Sequence, residues 1–257
     1  MPRTGALVLT PSLAVRLAAL GLLVAFLAAP AAFTPLLEPF ARNGSPAIYN
    51  QGSLLTLTLS HLGIAVVATI AATITAVTLA ILVTRPAGAE FLPLSRSIAN
   101  IGQTFPPVAV LALAVPIVGF GTWPTLIALF LYGLLPVFEN ALTGLTGVPL
   151  AIREAARGTG MTPMQRLFSV DLPLAFPVIL AGIRLSFVIA LGTATIGSTV
   201  AAPTLGEVII AGLLSSNTAF VLQGGIIVAV LAVLSYDALS TLESAAARRT
   251  GRPLART

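Results

Sequence analysis

The chain has 257 residues, 57% of them hydrophobic and only 8% charged, with a net charge of +5 and a mean hydropathy of +1.02. Ordinary globular domains hold roughly 45–50% apolar residues, so the expectation is an all-α integral membrane protein. All 13 basic residues are Arg and Cys is absent, which excludes a P-loop, whose Lys reaches the phosphates, and also disulfides and thiolate–zinc chemistry.

Apolar runs over residues 17–33, 62–83, 98–118, 125–145, 174–200 and 219–236 predict about six membrane spans, since a helix needs about 20 residues to cross a hydrocarbon core. None alternates as a barrel strand would. The chain divides into 1–53 (an N-terminal segment, the first span and an external loop), 54–242 (the main transmembrane domain) and an Arg-rich tail, 243–257. Arg3 and Arg16 before the first run, with Ala29-Pro30-Ala31 after it, fit either an uncleaved span or a cleavable signal peptide. The uncleaved reading makes the charge pattern consistent. With both termini cytoplasmic, Arg3, Arg16, Arg85, Arg96, Arg153, Arg157, Arg166, Arg248, Arg249, Arg252 and Arg256 all fall inside and Arg42 falls outside, as the positive-inside rule requires. The basic balance is therefore a signal of topology, with the lipid bilayer as the partner, and needs no nucleic acid.

His61, the single His, is expected as an interfacial residue at the outer start of the second span, and alone it supports neither a triad nor a metal site. In the third span Gln103, Thr104, Phe105, Pro106 and Pro107 interrupt the run, so the helix there must be kinked or broken, lining a path or serving packing. The fourth span carries Glu139 and Asn140, and the fifth Arg184, Thr193 and Thr195 among small residues. An unpaired Arg at membrane depth is expensive, so Arg184 is expected to pair with Glu139 near an inner gate, or with Asp237. The hydroxyls of the fifth span suit a pore lining or helix packing. The stretch 203–214 is too short to span and carries Glu207 on the external side.

Between the fourth and fifth spans, "AIREAARGTGMTPMQRLFSVDLP" concentrates five charges. Residues 151–157 are good helix formers, Gly158 and Gly160 permit a reversal, and Thr162-Pro163-Met164-Gln165 carries the signs of a new helix start. Met164, Leu167 and Phe168 fall on one face at the i, i+3, i+4 spacing. A helix-turn-helix with an apolar face is expected outside the bilayer, resting on lipid or seated in a partner's groove.

Glu154-Ala155-Ala156, then Gly160, then Val170-Asp171-Leu172-Pro173 resembles the EAA loop of binding-protein-dependent ABC importer permeases. "VTRPAGAEF", "IGQTFPPVAVLALAVPIVGFG", "LFLYGLLPVFENALTGL" and "PVILAGIRLSFVIALGTATIGSTV" are similar to its osmoprotectant branch, and within it to the low-affinity glycine betaine permeases. The resemblance implies a type I importer fold in a bacterial inner membrane and a coupling segment at 151–171. There Glu154, Ala155, Ala156, Gly160, Met164, Leu167, Phe168, Leu172 and Pro173 would meet a separate ATPase that uses ATP and Mg. It further implies a second permease subunit, an external solute-binding protein and no cofactor on this chain; as helix-breaking or polar residues within the spans, Gln103, Thr104, Phe105, Pro106, Glu139, Asn140, Arg184, Thr193 and Thr195 are expected on the passage or its gate. An ion-coupled secondary transporter using Glu139, Arg184 or Asp237, an ABC permease for another solute such as an amino acid, and a membrane scaffold are the competing readings. With aromatics at 6% and a single Trp, no aromatic cage for a quaternary ammonium is visible, which places selectivity chiefly in the binding protein.

Overall fold

A computed structural model describes residues 11–42 and 44–250; Arg3, Arg252 and Arg256 lie outside them. Among the described residues all regular structure is helical. The helices are α1 (Pro11–Ala28), α2 (Thr34–Leu37), α3 (Leu54–Val83), α4 (Leu92–Thr104), α5 (Pro107–Val118), α6 (Thr122–Thr146), α7 (Leu150–Gly158), α8 (Pro163–Arg166), α9 (Leu172–Thr193), α10 (Gly206–Leu214) and α11 (Thr218–Thr250). Four uninterrupted stretches are long and apolar enough to cross a membrane, namely α3, α6, Pro163–Val200 and α11, and two bent pairs raise the number to six.

The first bent pair corrects the expected span over 17–33. α1 stops at Ala28, and the chain turns by 111° into Pro30–Phe40. Pro30 disfavours helical geometry at Ala29, whose φ of −140° and ψ of 63° are not helical. In the second pair, α4 and α5 meet at 97° across Phe105 and Pro106, where two consecutive prolines remove two backbone donors. The last span is longer than expected: α11 continues past residue 243 to Thr250, so the Arg-rich tail begins as its final turns.

α6 lies at the centre, against α3 on one side and α9 on the other. Ala65, Ala68, Ala72, Ala76 and Ala80 form a fully buried ladder on α3, small enough for close helix approach. Gly182 on α9 meets α6 at backbone range; a Cβ there would stand 2.8 Å from Pro136 O and 2.7 Å from Asn140 Cβ. Phe138, Val137, Ala141 and Leu145 of α6 fill the core between these helices.

One face of the bundle carries α7 and α8, and the opposite face carries α10 and the loop 44–53. Gln223 of α11 pins that loop: its side chain accepts from Tyr49 N–H at 3.1 Å and donates to Ala47 O at 2.8 Å. Asn217 donates to Pro46 O at 2.9 Å. His61 is not interfacial. It is fully buried, because α3 begins at Leu54, two turns before the uncharged run. Its Nδ1 accepts from Leu205 N–H at 3.4 Å, which leaves Nε2–H to donate to Leu191 O at 2.9 Å.

Candidate coupling segment and passage

The reversal after α7 is built from local rules. Thr159 caps the helix, Gly160 N–H donates to Arg157 O at 2.9 Å, and Met161 N–H donates to Ala156 O at 3.2 Å. This is a Schellman arrangement with Gly160 at its left-handed position, φ +82°. A Cβ on Gly160 would meet nothing within 4 Å, so the need for Gly is conformational, not steric. Gly158 is simply the last residue of α7. α8 then opens with a complete capping box, in which Thr162 Oγ1 accepts from Gln165 N–H at 3.3 Å and Gln165 Oε1 from Thr162 N–H at 2.9 Å.

The second helical piece is not a separate helix. A π-turn over Leu167–Asp171 carries α8 directly into α9, so the segment is one free helix, α7, folded back against the projecting end of a span. The expected apolar face is corrected accordingly. Met164 and Phe168, four residues apart, are exposed with Leu150, Ile152 and Met161, whereas Leu167 lies about 100° around the helix from Phe168 and is buried. Glu154, Ala155 and Pro173 are exposed, Leu172 is half-buried and Ala156 is buried.

Asp171 resolves the crowding of charge. It is 1% exposed, and its two oxygens hold two guanidiniums: Arg85, just beyond α3, at 3.0 Å and Arg153 of α7 at 3.2 Å. Arg153 also donates to Leu145 O near the end of α6. One buried carboxylate thus joins α7 to α3, α6 and α9. Glu154, Arg157 and Arg166 form no ion pair among the described residues and remain at the surface.

At the α4–α5 break Gln103 bonds across to α6, while Thr104 and Asn140 bond within their own helices. Pro136 has no N–H to offer Tyr132 O four residues earlier, and Gln103 Nε2 of α4 supplies that bond at 3.0 Å. The Tyr132 hydroxyl in turn donates to Phe105 O at the break. Phe105 and Pro106 are exposed, and Thr104 Oγ1 donates to Asn100 O at 3.1 Å. Asn140 Nδ2 donates to Pro136 O at 2.8 Å.

The expected Glu139–Arg184 pair does not form. Glu139 binds Arg96 through two bonds, Nε to Oε1 at 2.6 Å and NH2 to Oε2 at 3.1 Å. Arg184 reaches Glu243 of α11 at 3.3 Å and lies 4.5 Å over the Tyr236 ring, while Asp237 takes Arg16 at 2.9 Å. Helix rotation and side-chain reach decide these partners, and similarity of depth does not reveal either. Thr193 and Thr195 stand apart, by the turn 194–200, where Thr195 Oγ1 donates to Gly192 O at 2.7 Å.

Sequence reasoning counted Arg96 only as a topology charge and missed Asn100 and Tyr132. The signal was present: Arg96, Ser97, Asn100, Gln103 and Thr104 recur at helical spacing and form a polar, exposed stripe on α4. On the opposite face Glu207, in the first turn of α10, accepts from the Tyr49 hydroxyl at 2.7 Å. Burial, then that hydrogen bond, push the Tyr49 phenol well above its ordinary range.

Residues 76–245 match the family described as binding-protein-dependent transport system inner membrane component. The chain is 40% identical to the osmoprotectant import permease protein OsmY of Salmonella typhimurium over 72% of this chain and 78% of that one. To the choline transport system permease protein OpuBB of Bacillus subtilis it is 38% identical, over 76% and 88%. To the glycine betaine/carnitine/choline transport system permease protein OpuCB of the same organism it is 36% identical, again over 76% and 88%. Its fold is similar to a chain of the inward-facing MetNI methionine ABC transporter, with a TM-score of 0.68 at 21% identity over 75% of this chain and 95% of that one. The protein belongs to the binding-protein-dependent inner membrane component family and is the transport subunit of an ABC importer, with ATP hydrolysis assigned to a separate subunit.

Proposed function

We propose that this permease moves quaternary-ammonium osmoprotectants such as glycine betaine, choline or carnitine across a bacterial inner membrane, with α7, α8 and both termini on the cytoplasmic side. Its partners are a second permease subunit, two ATPases that bind ATP and Mg, and an external solute-binding protein; the chain itself holds no cofactor. The cargo class rests on the relatives named above.

The observation that carries the mechanism is the anchoring of α7. Its exposed apolar side chains, with Met164 and Phe168 beside them, suit a groove on the ATPase, and Glu154 adds a charge at the same surface. Because Asp171 ties α7 to α3, α6 and α9, displacement of the segment by closing ATPases is passed to three spans together. The passage would then alternate between outward and inward openings along the α4 stripe and the Phe105–Pro106 break. Glu207 and Tyr49 lie on the surface offered to the binding protein.

The test is co-purification from detergent of the permease with its ATPase, comparing wild type with Glu154→Arg. We expect the ATPase with wild type and its loss in the variant, together with ATP-dependent uptake of labelled betaine or choline by wild-type vesicles. Uptake that persists without ATP and stops on collapse of the proton gradient would reject the mechanism.

A further inference from the structure

Five ion pairs occur among the described residues, and Arg96–Glu139 is the most open of them. Its side chains are 52% and 38% exposed, against 20% and 15% for Arg184–Glu243. It is not needed to hold its helices together: α4 and α6 already touch backbone to backbone at Gly102 and Leu131, and Gln103 bonds across the same interface. Yet its geometry is bidentate, at 2.6 and 3.1 Å. It also lies at one end of a polar stripe that climbs α4 through Asn100 to Gln103 and Thr104, about 12 Å along the axis at 1.5 Å per residue. Hydrocarbon cannot solvate such a stripe, so it faces water or protein. Glu139 lies seven residues before the end of α6, about 10 Å from it, which puts the pair toward the α7 side of the passage.

We propose that the Arg96–Glu139 pair is a way station for zwitterionic cargo: the pair opens, Arg96 takes the cargo carboxylate and Glu139 the quaternary ammonium. The inference rests on the osmoprotectant reading above. Charge bookkeeping makes the exchange nearly neutral. One protein pair is lost and two protein–cargo pairs form, while the cargo gives up only its hydration and its own weak internal attraction. Binding of that kind is weak enough to release, as a conducting path requires. A cation lacking a carboxylate would displace Arg96 from Glu139 and leave the guanidinium unpaired, and a simple anion would leave Glu139 unpaired. The pair therefore favours cargo whose charges balance internally.

The experiment uses the complete complex in liposomes with internal ATP and saturating binding protein, loaded with either labelled glycine betaine or labelled choline. Saturation removes the binding protein's affinity from the comparison, so the maximal rates report the passage. In Arg96→Gln the betaine-to-choline rate ratio is expected to fall about tenfold, the worth of a charge-assisted hydrogen bond reduced by exposure. Exchange of the charges, Arg96→Glu with Glu139→Arg, is expected to recover most of the ratio, and it is the readout if the single variant fails to accumulate. Equal losses for both cargoes, an unchanged ratio in Arg96→Gln, or an exchange variant without zwitterion preference would overturn the proposal. If wild type hydrolyses ATP but moves neither cargo, the osmoprotectant reading itself falls and takes this one with it.

Discussion

Asp171→Asn isolates the anchor of the coupling segment. The amide is nearly isosteric with the carboxylate, so the π-turn keeps its packing while the charge shared by Arg85 and Arg153 disappears. Two charge-assisted bonds, at 3.0 and 3.2 Å, become at most one weaker bond to an uncharged amide oxygen. Bonds to charged groups contribute about 1.5–3 kcal/mol and neutral ones about 1 kcal/mol. Complete burial of the carboxylate argues for the upper part of that range, and the guanidiniums, about a quarter exposed, argue for the lower, because water can partly replace the lost anion. The loss is about 2–3 kcal/mol, which is roughly a 30- to 150-fold shift toward states with α7 loosened from the spans. Asp171→Ala, which removes the remaining acceptor as well, should cost about 3–5 kcal/mol. Two readings check this: the thermal midpoint of the permease in detergent, and cargo moved per ATP hydrolysed in the reconstituted complex. The Asp171→Asn variant should lower both while the ATPase still co-purifies, since the exposed apolar side chains of the segment are untouched. Arg153→Met should likewise loosen α7, since it breaks the bonds to Asp171 and to Leu145 O while Arg85 keeps the carboxylate, and the double variant should cost less than the sum, because the Arg153–Asp171 bond is lost in both. Additive effects, or an Asp171→Asn complex with normal midpoint and normal stoichiometry, would refute the anchoring role.

Other expectations follow from the same geometry. Gly160→Ala should lower stability by about 1–2 kcal/mol, the cost of a Cβ at positive φ, without a clash; in Gly160→Trp the same strain is joined by a bulky group at the docking surface, and uptake should be lost at normal membrane levels. Gln103→Leu removes an exposed bond to Tyr132 O beside Pro136 and should cost about 0.5–1.5 kcal/mol, read as a lower thermal midpoint that Gln103→Asn does not fully restore, because the shorter side chain falls short of 3.0 Å contact. Phe168→Asp should leave the midpoint unchanged, since the ring is exposed, and abolish recovery of the ATPase; recovery at wild-type levels would remove Phe168 from the docking surface.

What could be read in the sequence was short-range. The Gly160 reversal and the Thr162–Gln165 box are decided within a few residues, by backbone conformation and by hydrogen bonds three apart, so residue type alone announced them. The break at Phe105–Pro106 was legible for the same reason, because a proline's missing donor is a local fact. The ion pairs were not. Arg85 and Asp171 are 86 residues apart and Arg96 and Glu139 are 43 apart, and a depth counted at about 1.5 Å per residue leaves the rotation of each helix undetermined. The 97° bend then turns α4 relative to α5, so no straight-helix count could place the Arg96 side chain beside Glu139. His61 misled because the apolar run was taken as the helix, although capping at Ser53, whose Oγ accepts from Thr56 N–H at 3.3 Å, starts α3 well outside it. Leu167 misled because its spacing fits the stripe of Met164 and Phe168, and only the packing below decides which edge of that stripe is covered.

The placement of charge also bears on how the transport is driven. In the four uninterrupted spans each acidic side chain holds an Arg: Asp171 with Arg85 and Arg153, Glu139 with Arg96, Asp237 with Arg16, Glu243 with Arg184. These pairs are suited to fixing helix to helix, or, at the exposed Arg96–Glu139 pair, to exchanging one ionic partner for another. In the mechanism proposed above the driving force enters mechanically through α7, which is exposed on one side and fastened on the other through Asp171 to three spans.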